Sequence, residues 1–131
     1  MHTPEQNIET VQKFLGTAFA EGRPEEAVAT YVGDTYIQHS PQVPDGKEGF
    51  IAMATEVNKA AGAVYPETKL VVATEEFVVT LTHFVTADGS NPGRAFADIM
   101  RLDENGKIVE HWDVSQDVPP ASEFAHGNGM F

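Results

Sequence analysis

The feature that most constrains the fold of this chain is a change in the spacing of its apolar residues near Gly62. Before that point, apolar side chains recur every three to four positions, which is typical of amphipathic helices. After it, they alternate every second position, which indicates strands with one buried face. Helices that all precede a run of strands favour an α+β fold over an alternating parallel α/β fold. Such a sheet can curl around the helices and leave a pocket between them.

Three helices are predicted in the first half of the chain. Thr3 and Gln6 form a capping box for the first helix, and Asp45 and Glu48 offer a capping box for the third. Pro24 suits the first position of the short helix between them.

The predicted strands are residues 35–39, 68–74, 77–86, 94–102 and 107–115. Asp88-Gly89 and Asn105-Gly106 are hairpin signals between successive strands. Residues 119–131 form a tail rich in small residues. Because no repeat or linker interrupts the pattern, we expect one domain over residues 1–131.

Composition and motifs exclude several classes of function. The net charge of −12 argues against a nucleic-acid partner, since such binding depends on Lys and Arg neutralising phosphates. The absence of cysteine excludes disulfides, Cys-ligated metal and a cysteine nucleophile. No Gly-rich phosphate loop, Gly-x-Ser-x-Gly elbow or His-Glu-x-x-His helix is present. With no signal-peptide pattern and no apolar run of membrane-spanning length, we expect a cytoplasmic protein without a membrane partner.

The Asn105-Gly106 dipeptide predicts the register of the last two strands. If it forms a two-residue turn, Asp98 lies directly opposite Asp113. A three-residue loop with a bulge would instead place Asp98 opposite Trp112. Like charges that face each other destabilise a sheet, so an Asp pair indicates a bound proton or cation there. The two-residue register also pairs Glu104 with Lys107, Arg101 with Glu110, Met100 with His111, and Ile99 with Trp112.

One face of this hairpin mixes apolar and ionisable side chains, which is typical of a pocket wall. It carries Asp98, His111 and Asp113 among Phe96, Met100 and Val109. For Asp98 the plainer interpretation is a solvated strand carboxylate, and for His111 a structural histidine. His39 could likewise be an exposed loop residue, and His83 a core histidine bonded to backbone.

The order of elements resembles the SnoaL-like polyketide cyclase branch of the nuclear transport factor 2-like superfamily, which also holds ketosteroid isomerase and scytalone dehydratase. The resemblance spans roughly the whole chain. It is most specific in Tyr36-Ile37-Gln38-His39-Ser40-Pro41 and in Glu110-His111-Trp112-Asp113-Val114. It implies a cone-shaped α+β barrel, with three N-terminal helices packed on a strongly bent antiparallel sheet that encloses an apolar pocket.

The resemblance also implies roles for single residues. His39 falls where ketosteroid isomerase has its general-base Asp, and Asp98 matches that enzyme's protonated oxyanion-hole Asp. Phe14 falls where the isomerase has its oxyanion Tyr, so that hydroxyl is missing and steroid isomerisation is disfavoured. His111 and Asp113 match pocket-lining positions. SnoaL-type cyclases use a pocket Asp as acid/base in an aldol ring closure, and either Asp98 or Asp113 matches that role.

We therefore expect an enzyme without cofactor or metal that performs acid/base chemistry at a carbon next to a carbonyl group. Aldol cyclisation, isomerisation and dehydration share this enolate step. The alternatives are a non-catalytic ligand-binding or dimerisation module, and a metal site built from His39, His83, His111 and a carboxylate. The expected catalytic residues are His39, Asp98, His111 and Asp113. The expected binding residues for a small apolar carbonyl compound are Phe14, Tyr36, Phe50, His83, Phe96 and Met100.

The sequence also predicts a homodimer. The face opposite the acids carries Ile99, Trp112 and Val114, with Ile108 close by. Because the helices can cover only one face of the sheet, an apolar second face indicates a partner surface. The alternative is that the tail at residues 119–131 folds over this face within one chain.

Overall fold

A computed structural model describes residues 1–89 and 91–131 of the chain. The helices are α1 (Pro4–Leu15), α2 (Pro24–Tyr31) and α3 (Gly46–Ala61). A π-helical turn (Gly16–Ala20) continues α1, and a 3₁₀ turn (Ala121–Glu123) lies in the tail. The strands are β1 (Val32–Gln38), β2 (Val64–Ala73), β3 (Phe77–Thr86), β4 (Arg94–Leu102) and β5 (Ile108–Asp117).

The predicted helix starts are correct, but only one of the two capping boxes forms. The Thr3 hydroxyl accepts a hydrogen bond from the Gln6 N–H at 3.2 Å, and the Gln6 side-chain carbonyl accepts one from the Thr3 N–H at 2.9 Å. Asp45 occupies the N-cap of α3, yet it makes no cap hydrogen bond. Its carboxylate instead accepts from the N–H of Gln38 at 2.9 Å, which ties the start of α3 to the end of β1.

The five strands form one sheet in the order β1-β5-β4-β3-β2. Strands β2 to β5 are the predicted antiparallel meander, whereas β1 pairs with β5 in parallel. The predicted α+β fold, with three N-terminal helices packed on one sheet, is confirmed. The sheet differs from the prediction in detail, because it is mixed and its edges β1 and β2 do not close. Parallel neighbours need a long crossover, and here α3 with the meander supplies it.

The helices cover one face of the sheet, here called the inner face, and leave the outer face open. On the inner face Met100, Leu102 and Ile108 are 2%, 2% and 0% exposed. On the outer face Ile99 and Val114 are 39% and 77% exposed. The placement of Ile108 near the outer face was wrong, because it lies opposite Leu102 in the core.

The tail contacts the outer face at one edge. The Phe131 ring stacks on the ring of His83 with centroids 4.6 Å apart, and the Lys69 ammonium lies 5.6 Å from the Phe131 centroid. Ile99 and Val114 remain exposed nonetheless. The tail thus covers only part of this face.

The turn between β4 and β5 is wider than predicted. The Gly106 N–H donates to the Asp103 carbonyl at 3.0 Å, and the Asp103 N–H donates to the Lys107 carbonyl at 2.8 Å. Asp103, not Glu104, therefore closes the loop against Lys107. Both common two-residue hairpin turns need positive φ at the first central residue, here Asn105, and of the two residues only Gly106 has it, at 72°. The Asp103 carboxylate holds the wider loop by accepting from the Asn105 and Lys107 N–H groups, each at 2.9 Å.

A bulge at Val109 restores the predicted pairing. Leu102 lies opposite Ile108, but the register then shifts by one residue, so Val109 is the extra residue on β5. This shift cancels the one introduced by the wider loop. The resulting pairs are Asp98 with Asp113, Ile99 with Trp112, Met100 with His111, and Arg101 with Glu110.

Within residues 1–89 and 91–131, no helix is long and apolar enough to cross a membrane.

Candidate functional site

A cavity of about 460 Å³ lies between the inner face of the sheet and the helices. The end of α1, its π-helical turn and α3 supply one wall, and strands β1 to β5 supply the other. The Asn58 amide on α3 donates to the Ala18 carbonyl in the π-helical turn at 3.0 Å, which fixes that turn against α3. Most of the wall is aliphatic or aromatic, with Leu15, Phe19, Phe50, Met53, Val57, Phe84 and Phe96 among its members.

The polar part of the cavity wall comes from neighbouring strands. The register of β4 and β5 places Asp98 beside Asp113 and Met100 beside His111, all facing the cavity. Asp98 and His111 are 5% and 7% exposed. Of the four residues predicted to line one cavity, His39, Asp98, His111 and Asp113, the last three do so.

A chain of hydrogen bonds joins three side chains of this wall. His111 Nε2 lies 2.7 Å from Asp98 Oδ1, and His111 Nδ1 lies 2.8 Å from Gln38 Oε1. Both ring nitrogens are therefore held by oxygen atoms. The parallel pairing of β1 with β5 places Gln38 next to His111 and makes this contact.

The environment of Asp98 favours its neutral form. Burial raises the pKa of Asp98 above its ordinary value, the hydrogen bond with His111 opposes that change, and the nearby Asp113 carboxylate adds to it. The direction agrees with the predicted effect of the Asp pair. The main cause is loss of solvent, with the second carboxylate a smaller contribution.

Tyr36 brings a hydroxyl group to the same wall. Its side chain is 4% exposed, and its ring stacks near that of His111 with centroids 6.5 Å apart. The Gln38 amide nitrogen donates to the Tyr36 hydroxyl oxygen over a long 3.4 Å. Burial raises the pKa of Tyr36 well above its ordinary value, so the hydroxyl keeps its proton.

His39 lies outside the cavity, and its predicted place in the wall was wrong. Its side chain is 42% exposed and stacks on the Trp112 ring of the outer face, with centroids 4.8 Å apart. His39 Nε2 contacts Glu110 at 2.7 Å, and Glu110 also accepts from Arg101 at 2.8 Å. Hydrogen bonds from His39 and Arg101 hold the pKa of Glu110 below its ordinary value.

Two predicted binding residues are also absent from the cavity wall. Phe14 is fully buried behind Phe50, with ring centroids 4.8 Å apart, so it supports the cavity without reaching it. His83 lies on the outer face, where its Nε2 contacts the Pro92 carbonyl at 2.6 Å. The other four predicted binding residues, Tyr36, Phe50, Phe96 and Met100, line the cavity.

The sequence contained a signal for Gln38 that was missed. Neighbouring residues of a strand point to opposite faces, so residues two apart share a face. If Tyr36 faces the cavity, Gln38 faces it too, and His39 faces away. His39 was predicted from its chemical type and from its match to the general-base position of ketosteroid isomerase, and strand alternation contradicts both.

The alternative metal site built from three histidines does not form, because His39 and His83 lie on the outer face. A smaller group could hold a cation, since ligand atoms of Asp98, His111 and Asp113 all lie within 4.8 Å of one another. Both ring nitrogens of His111 are already hydrogen-bonded, so this group fits a metal poorly.

The mouth of the cavity carries an ion pair. Arg94 donates to Asp117 at 2.8 Å and to Ser115 at 2.9 Å. Among the described residues that line the cavity, Arg94 is the only Lys or Arg.

Comparisons with known proteins agree with this architecture. The model of the SnoaL-like domain family matches residues 11–111. No curated protein sequence matches the chain.

Solved structures share its fold at low sequence identity. A candidate isomerase of the SnoaL-like family from Agrobacterium tumefaciens is 15% identical, with a TM-score of 0.70 over 86% of this chain and 98% of that chain. A candidate polyketide cyclase from Bacillus cereus is 19% identical, with a TM-score of 0.71 over 84% of this chain and 74% of that chain. A candidate SnoaL-like polyketide cyclase from a Jannaschia species is 18% identical, with a TM-score of 0.69 over 88% of each chain. These likenesses show that the chain shares the α+β fold of these proteins.

Proposed function

The chain belongs to the SnoaL-like domain family, and from that membership we propose that it is an enzyme that moves protons at a carbon next to a carbonyl group. The proposed substrate is a small apolar carbonyl compound, because most of the cavity wall is aliphatic or aromatic. Aldol cyclisation and double-bond isomerisation both pass through the enolate that such a step forms, and so does dehydration.

The observation that carries this proposal is the hydrogen-bonded pair of Asp98 and His111 inside an otherwise apolar cavity. Burying ionisable groups costs free energy, so a fold that needed only a core would gain by placing apolar side chains there. A buried acid with a raised pKa beside a ligand-sized cavity is typical of an acid–base site.

Asp98 is the residue that we propose as the acid/base group. In its ionised form, Oδ2 takes the α-proton of the substrate, and the electron pair of the C–H bond moves toward the carbonyl oxygen. Oδ1 stays hydrogen-bonded to His111, which orients the carboxyl group. The neutral Asp98 then returns the proton to another atom of the same substrate. Because its pKa is raised above the ordinary value, the ionised Asp98 is a stronger base than an ordinary carboxylate, which favours the first step.

Tyr36 is the group that we propose for the developing enolate oxygen. Its hydroxyl is protonated, buried and adjacent to the polar wall. A neutral donor in a dry site stabilises negative charge on an oxygen without itself ionising. This supplies the hydroxyl that the resemblance to ketosteroid isomerase assigns to the position of Phe14.

Hydrogen–deuterium exchange at the α-carbon of apolar ketones tests the proposal. β-Tetralone and a panel of one- and two-ring ketones are incubated with the protein in D₂O, and NMR follows the loss of the α-proton signal. We expect the wild-type protein to accelerate exchange for members that bind. Asp98→Asn should lower the accelerated rate by about 10²–10⁴-fold. Asp34→Asn, at an exposed position of β1, is the matched control and should leave the rate unchanged.

Calorimetric titration of the same ketones distinguishes catalysis from binding alone. If ketones bind in the cavity and Asp98→Asn changes neither their affinity nor their exchange rate, the protein is a ligand-binding module and the proposed enzymatic function is wrong.

A further inference from the structure

The positions of the protons in the polar wall can be read from one backbone contact. Gln38 Oε1 accepts a hydrogen bond from the Ser40 N–H at 3.0 Å. A backbone N–H can only donate, so the atom of the Gln38 amide that lies there is its oxygen. The orientation of the amide follows from the protein itself.

That orientation determines which nitrogen of His111 carries a proton. The same Gln38 oxygen lies 2.8 Å from His111 Nδ1. An amide oxygen has no proton to give, so Nδ1 must be the donor. When the ring is neutral, its lone pair is therefore on Nε2, which lies 2.7 Å from Asp98 Oδ1.

We propose that Gln38 is a positioning residue that holds His111 in the Nδ1–H tautomer. The exchangeable proton then lies between His111 Nε2 and Asp98 Oδ1. On Asp98 it gives a neutral carboxylic acid beside a neutral imidazole, and on His111 it gives an ion pair. Asp98 Oδ2 has no hydrogen bond from any described residue, so it is the oxygen free to act on a ligand.

The other end of the Gln38 amide orients Tyr36. Because its oxygen faces Ser40 and His111, its NH₂ group faces the Tyr36 hydroxyl, 3.4 Å away. The hydroxyl oxygen accepts there, so its own proton is left to donate elsewhere. Gln38 thus sets the direction of donation at both His111 and Tyr36.

This inference deepens the proposed function, and its catalytic consequence rests on that function. The proton positions themselves do not, so they are measured without a substrate. Protein labelled with ¹⁵N-histidine is titrated upward in pH, and the two ring nitrogens of His111 are followed by NMR. Its signals are assigned by their loss in His111→Gln. As the ring becomes neutral, we expect Nε2 to lose its proton and Nδ1 to keep one.

Three variants separate a positioning role from a merely structural one. Gln38→Leu removes the acceptor and should shift the tautomer ratio of neutral His111 toward Nε2–H by about tenfold. Gln38→Glu retains an oxygen acceptor and should keep the Nδ1–H tautomer. Gln12→Leu makes the same chemical change at an exposed position of α1 and should leave the ratio unaltered.

A neutral wild-type ring protonated on Nε2 would overturn the inference, and so would a folded Gln38→Leu protein with an unchanged tautomer ratio. If Gln38→Leu fails to fold, the wild-type titration and Gln38→Glu decide the question. If His111 shows the expected ring protonation but the protein does not accelerate ketone exchange, only the proposed function is contradicted.

Discussion

Replacing Asp98 by asparagine should remove a pH dependence from the stability of this protein. Asp98 is 5% exposed, and burial raises its pKa above its ordinary value. Asparagine has nearly the same shape and cannot ionise. Its amide can donate to His111 Nε2, as the neutral carboxylic acid does. The variant therefore resembles the protonated form of the wild-type protein at every pH.

The expected sign follows from the direction of the pKa shift. An acid whose pKa is higher in the folded state than in the unfolded state binds more protons when folded. The stabilisation that this group gives the wild-type protein is therefore complete below the unfolded pKa, near the ordinary Asp value of 3.8. It is lost as the pH rises through the folded pKa. Between the unfolded and the folded pKa, the free energy of unfolding of Asp98→Asn minus that of the wild type should rise by about 1.4 kcal/mol per pH unit. Above the folded pKa, the difference should level off.

Urea unfolding at intervals between pH 3 and pH 8 measures this difference. Equal m-values would show that both proteins unfold to the same extent. Asp34→Asn, which changes an exposed carboxyl on β1, should give no such rise. Because Asp98 and His111 share a hydrogen bond, the measured curve describes the pair. A difference that falls as the pH rises would mean that a stabilised, ionised Asp98 is the folded form, and it would refute the reasoning.

Three further predictions concern the surroundings of the site. We propose a homodimer formed through the outer face, and Val114→Glu places a charge on that exposed face. Light scattering at micromolar concentration should then show a dimer for the wild type and a monomer for the variant. A monomeric wild type, or a variant that stays dimeric, contradicts the proposed dimer. Met53→Trp narrows the cavity without changing the fold, so calorimetric titration should show weaker binding of apolar ketones. An unchanged affinity would mean that the ketones bind elsewhere. Gly106→Ala should lower the free energy of unfolding by about 1–2 kcal/mol, because φ at this position is 72° and the new methyl group would meet the His2 ring. Gly127→Ala, with nothing near its new methyl group, is the control, and equal loss in both variants would contradict this explanation.

The order of elements and the faces of β3, β4 and β5 could be predicted because periodicity is a local property. The pairing of β4 with β5 was also predicted correctly, although the predicted turn was wrong. The wide loop closed by Asp103 and the bulge at Val109 each shift the register by one residue, and the two shifts cancel. Nothing in the local sequence predicts the bulge. Ile108 and Val109 are consecutive and both buried, which breaks strict alternation at the bulge.

The composition of the site was predictable only where strand alternation was followed strictly. Asp98, His111 and Asp113 were placed by the register, and all three line the cavity. His39 was placed by chemical type and by analogy, and it lies on the other face. Gln38 was overlooked because an uncharged amide is not a candidate acid or base. Its role depends on the parallel pairing of β1 with β5, which the sequence pattern did not indicate.

The chain carries a single tryptophan, and its stacking on His39 determines what its fluorescence can report. Trp112 lies on the outer face, so its emission senses what covers that face and whether the imidazole beside it is charged. A ligand that fills the cavity sits across the sheet from the indole ring. Intrinsic fluorescence therefore reports on what covers the outer face, and occupancy of the cavity needs a probe of its own.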